Sequence, residues 1–181
     1  MLRQLGYRHL QNTQGEPAYN CFLQLLPLLS DPEADVDQQT VYVDLAQAAF
    51  VASYPDLVFY WAGLAHLGME QLGDSIARLR TLSLLAVSME ALELPEAPAA
   101  RRMAWDHARS IGHESARLHA DALAATVPDF DPHTPLTEAE RAHLRQRLIQ
   151  AHENHQRSLV GRGIDPEKPF PEKARAPAGD T

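Results

Sequence analysis

From His9 to Ala77 the chain has no lysine and no arginine, although it carries sixteen such residues in all. The same stretch holds nine carboxylates: Glu16, Asp31, Glu33, Asp35, Asp37, Asp44, Asp56, Glu70 and Asp74. The whole chain has only two lysines, Lys168 and Lys173, and a net charge of −8. Polyanion binding needs clustered Lys and Arg, so this balance argues against a nucleic-acid surface on the first half. It leaves an acidic face suited to a basic partner.

Cysteine is nearly missing too. Cys21 alone excludes an intrachain disulfide framework and agrees with a reducing compartment. There is no secretory pattern of an apolar core followed by a small-residue cleavage site near the start. The longest apolar run, Leu57 to Met69, is interrupted by His66 and is too short for a bilayer span. These absences lead to the expectation of a cytoplasmic protein with no membrane span. Its alanine, arginine and proline usage fits a GC-rich bacterial genome.

The usual glycine-rich signatures are absent: no phosphate loop, no Gly-x-Gly-x-x-Gly and no Gly-x-Ser-x-Gly elbow. Cys21 has nothing local to make it a nucleophile and reads as an inert buried thiol.

What remains is helical spacing punctuated by proline and glycine. The segment up to Gly15 is polar and indistinct. Ala18 to Leu26 reads as a short helix, disturbed at its end by Pro27. An acidic loop follows from Ser30 to Asp37. Gln38 to Ser53 places Val41, Leu45, Ala48 and Ala52 on one apolar line, with Asp44 and Gln47 on the wetter side. Tyr54-Pro55 breaks that helix, and Asp56 suits an N-cap for the next.

Leu57 to Leu72 is apolar almost all round, as expected of a helix in the middle of a bundle. Gly63 and Gly68 within it suggest close approach of neighbouring helices. Ile76 to Leu92 keeps three–four spacing. Ala99 to Thr126 forms a small-residue seam through Ala104, Ala108, Ile111, Ser115, Leu118, Ala122 and Ala125. Asp106, Arg109, His113, Arg117 and Asp121 fall opposite it. Thr137 and Glu140 make a capping box for a last helix whose stripe runs Leu144, Leu148, Ala151, His152, His155 and Leu159. Arg162 onward, rich in proline and small residues, reads as disordered. The expected architecture is all-α: one domain over 1–160, five or six helices around the central helix at about 57–72, and a disordered Pro/Ala-rich tail over 161–181.

Nine histidines invite a test for metal. His152 and His155, three apart on a helix, can point the same way and hold a transition metal with a third ligand, His66 or His107. The plainer alternative is that both bond to carbonyls. Glu140 and His143 form one Glu-x-x-His pair, but a carboxylate-bridged dimetal bundle needs two. His107, His113 and His119 diverge around their helix and cannot meet one ion. His66 lies in the most apolar segment and must find a partner, Asp44 or a carbonyl. It is the best catalytic candidate because burial can shift its proton affinity.

Two functions follow from different classes. The first is a protein–protein interaction module whose acidic N-terminal half, with Asp31, Glu33, Asp35 and Asp37 as contact residues, meets a basic partner or a second copy of itself. It needs no cofactor. The second is a metal-dependent helical-bundle enzyme using His152 and His155.

Overall fold

A computed structural model describes residues 1–31, 37–69, 76–112 and 135–170. Among the described residues seven α-helices follow one another: α1 (Leu2–Gln11), α2 (Gly15–Leu23), α3 (Gln38–Val51), α4 (Pro55–Met69), α5 (Ile76–Ala91), α6 (Ala97–Ile111) and α7 (Glu138–Gly161). A 3-10 turn, Leu26–Ser30, follows α2 and contains Pro27. No strand occurs among the described residues.

The centre is α4, as the apolar run implies. It packs on α3, α5 and α7, and Val58, Phe59, Trp61, Ala62 and Ala65 are essentially inaccessible to water. Burying a side chain of Phe size contributes about 1.5–3 kcal/mol, so this one helix supplies much of the core energy. Its entry differs slightly from expectation. Pro55 is the first helical residue, where its missing N–H costs nothing, and Asp56 lies in the first turn rather than at the cap. No helix of the described residues is long and apolar enough to cross a membrane.

Local chemistry explains the other starts. Asp37 caps α3 by accepting from the Thr40 backbone N–H at 2.7 Å. Thr137 and Glu140 form the full capping box of α7.

Four differences from the sequence reading stand out. The polar start is a helix: Leu2, Gly6 and Leu10 recur every four residues, and Gly6 lets α1 lie against the Phe22 ring. A glycine in an apolar line hides the line from residue counting. Second, α6 stops at Ile111 because Gly112 takes the left-handed conformation (φ 67°), which glycine adopts without steric cost. The rest of the expected seam, with His113 and His119, lies outside the described residues. Third, Asp44 and Asp106 are buried, although periodicity put both on a wet face.

The fourth difference is at the C-terminal end, where the tail was expected from residue 161. Residues 162–170 fold back onto α2 and the α3–α4 turn. Phe170 stacks on Tyr54 at 4.2 Å and packs against Tyr19 at 4.7 Å between centroids. The Phe170 N–H donates to Asn20 Oδ1 at 3.2 Å, and Tyr19 Oη donates to the Pro166 carbonyl at 2.6 Å. Pro166 and Pro169 forbid a helix here, but they do not forbid packing. Residues 171–181 lie outside the described residues.

Candidate functional site

Two places gather residues to which the sequence assigned chemistry, and a third is a cleft lined by others. The first is the α4–α7 contact. The His152 Nε2–H donates to the Tyr60 carbonyl at 2.9 Å, and the His155 Nε2–H donates to the Asp56 carbonyl at 2.9 Å. A carbonyl only accepts, so Nε2 of each ring holds the proton and is not a lone-pair ligand in this arrangement. Burial is the main reason both rings bind a further proton less readily than a free imidazole. Phe59 packs against both rings, at 5.8 and 4.7 Å. Gly63 makes this possible: a Cβ there would sit inside the His152 ring. Among the described residues no group of three His, Cys, Asp or Glu side chains is arranged to hold a metal ion.

The second place is around His66. Its ring is buried, and neither nitrogen has a hydrogen-bond partner among the described residues. Desolvation, reinforced by the fields of Arg78 and Arg145, pushes its pKa down to about 4. Asp44, the expected partner, is committed elsewhere. Arg3 Nε donates to its Oδ2 and Tyr7 Oη to its Oδ1, each at 2.9 Å. Next to His66's charged neighbours, a cavity of about 530 Å³ opens between α5, α6 and α7. Arg78, Asp106, His107, Arg141 and Arg145 are among its lining residues. Asp106 stitches this region together, accepting from the Leu136 N–H at 2.9 Å and from Arg141 Nε at 2.8 Å.

The third place is a cleft of about 570 Å³ between the 3-10 turn, α3 and α4. That volume is in the usual range for ligand sites. Leu26 and Leu64 supply apolar wall, Tyr42, Tyr60 and Trp61 supply rings, and Glu167 from the C-terminal segment closes one side. Among the described residues, no Lys, Arg or His lines it. The rings are held firmly. Trp61 meets Tyr42 at 5.5 Å and Tyr60 at 4.9 Å, the latter nearly perpendicular at 88°. The Trp61 indole N–H donates to Tyr19 Oη at 2.7 Å, and Gln38 donates to Tyr42 Oη at 2.6 Å.

Two carboxylates stand next in the chain to residues lining this cleft. Ser30 and Gln38 line it, and their chain neighbours are Asp31 and Asp37, both exposed. Asp37 also caps α3. Glu33 and Asp35 lie outside the described residues. The sequence reading put the Leu57–Leu72 helix in the middle of the bundle, where Trp61 is indeed buried, and Glu167 in the tail, so it did not bring Tyr60 and Glu167 together at a cleft. The signal it had was the aromatic triplet Phe59-Tyr60-Trp61 beside a stretch free of basic residues. Comparison with protein-family models, with curated proteins and with solved structures returns no match for this chain.

Proposed function

We propose that this protein is an interaction module that receives a basic segment of another protein at the cleft between the 3-10 turn, α3 and α4. The observation that carries the reading is the cleft's lining: the rings of Tyr42, Tyr60 and Trp61, the apolar Leu26 and Leu64, the carboxylate of Glu167, no basic residue among the described lining, and the exposed Asp31 and Asp37 next in the chain to lining residues. Aromatic rings are enriched in protein interfaces because they bury much area at little conformational cost. A field of one sign at the rim steers an oppositely charged partner and disfavours acidic ones.

The test is titration of the full chain with a lysine-rich peptide and with its glutamate counterpart. The lysine-rich peptide should bind, and its affinity should fall as salt rises from about 50 to 300 mM, because rim charges are screened within about 10 Å or less. Neutralising Asp31, Glu33, Asp35 and Asp37 together should weaken it about tenfold, on the basis of a few tenths of a kcal/mol for each exposed pair. Asparagine at position 37 keeps the helix cap, so the change removes charge without unwinding α3. Equal binding of both peptides, or binding indifferent to the fourfold change, overturns the reading.

A further inference from the structure

The cleft has an inner end that is more specific than an acidic surface. Trp61 is its floor, only 1 % exposed yet part of the lining. Tyr42 and Tyr60 rise from that floor at 34° and 88° to the indole, so their rings form a corner rather than a flat wall. Both tyrosines are half-buried and reach water at the rim. Glu167 borders the same space. Its neighbour Lys168 is turned to Asp165, with Nζ 3.3 Å from the carboxylate.

The electrostatics of this corner are one-sided. Tyr60 holds its phenolic proton more tightly than usual, first because it is partly buried and then because Glu167, Tyr42 and Asp165 lie near. Burial disfavours a charge of either sign, so it is the neighbouring Glu167 and Asp165 carboxylates that favour a cation here. Aromatic faces attract cations through their quadrupole. The apolar lining residues Leu26 and Leu64 suit a methylene stem better than a polar one.

The geometry points to a seat for one alkylammonium group, a lysine side chain of the partner's basic segment. Its methylenes would lie along Leu26 and Leu64, and its ammonium would rest among Tyr42, Tyr60 and Glu167. This rests on the module reading and adds to it the chemistry of the anchoring residue. Lysine suits this place because a flexible stem ending in a compact point charge needs one carboxylate and a ring face, not a planar fork of acceptors.

The experiment uses n-pentylammonium and its neutral counterpart 1-pentanol with the full chain, observing the indole N–H signal of Trp61 by NMR. The amine should shift that signal and bind at least about fivefold more tightly than the alcohol, as expected for a cation–π contact. Glu167→Gln should weaken the amine about threefold to fivefold, and Tyr60→Leu about tenfold. Both positions are partly or fully exposed, so neither change should unfold the protein. Pentylammonium should also compete with the lysine-rich peptide.

Equal binding of amine and alcohol overturns the seat, as does an unchanged affinity in Glu167→Gln. Should the peptide bind with its dependence on Asp31 and Asp37 while the amine fails to compete, the seat falls and the module reading stands. If Lys173→Met alone opens the corner to the amine, the occupant is the chain's own lysine and the assignment to a partner falls.

Discussion

Helix α4 has two polar environments on opposite sides of one short stretch, and Tyr60 belongs to both. Its carbonyl accepts from His152 on the α7 side, while its ring lines the open cleft on the α3 side. On the α7 side, imidazoles are pressed against backbone and each Nε2 is satisfied. On the cleft side, Tyr19 fixes the buried Trp61 and Gln38 fixes Tyr42, while Tyr42 and Tyr60 stay half-buried. The contrast teaches that titratable residues in an apolar stripe can be a fastening, and that an aromatic cluster can be a surface. A buried, satisfied polar group stabilises one arrangement. A held but uncovered ring is ready to bind.

The largest effect should come from filling the gap that lets α4 and α7 meet. Gly63→Val drives two methyl groups and a Cβ into the His152 ring. We expect a loss of about 3 kcal/mol, in the upper range for overpacking, and a drop of about 10 °C in the thermal midpoint. An unchanged midpoint would mean that α7 does not lie on α4 as described.

Acid should act on the same side of the helix and nearly as strongly. His66, His152 and His155 all have pKa values lowered in the folded state. The folded protein therefore binds fewer protons than the unfolded chain, and stability falls as pH drops below the unfolded value near 6.5. For His66 the loss continues to about pH 4 and amounts to about 3 kcal/mol at most. Urea unfolding at pH 7.5 and 4.5 should show this slope. His66→Leu should flatten it, and should raise stability even at neutral pH, because the ring nitrogens are buried without partners. An identical slope in the variant would exclude His66 as its source.

Phe170→Ala comes next and joins the two sides. Losing the stack on Tyr54 and Tyr19 should cost about 3 kcal/mol, the lower end for a buried phenylalanine. Because Glu167 is carried by the same segment, peptide affinity should fall with it. Full affinity in a destabilised Phe170→Ala protein would separate the segment from the cleft. The smallest effect on stability, within about 0.5 kcal/mol, should come from Glu167→Gln, an exposed rim residue; its consequence should be confined to binding.

The outline of this fold was legible because burial imposes periodicity. The apolar α4, the capping box at Thr137 and the stripe through Leu148, Ala151 and Leu159 all follow from spacing and end chemistry. What spacing does not show is pairing across the chain. Asp44 reads as wet on its own helix, but Arg3 and Tyr7 arrive from forty residues away to bury it. Asp106 is drawn in by Arg141 and the Leu136 N–H in the same way. The histidine pair was placed correctly on its stripe, but which atoms would meet Nε2 depends on the approach of another helix. The cleft was harder still, because its last wall comes from residues that composition alone assigns to a tail.

The C-terminal segment also governs how the molecule can be joined to something else. A fusion or tether attached at Gly161 discards Glu167, the Tyr19–Pro166 bond and the ring that lies on Tyr54. Attachment beyond Phe170 keeps all three, so the choice of junction decides whether a fused version of this protein retains a finished cleft or an unroofed one.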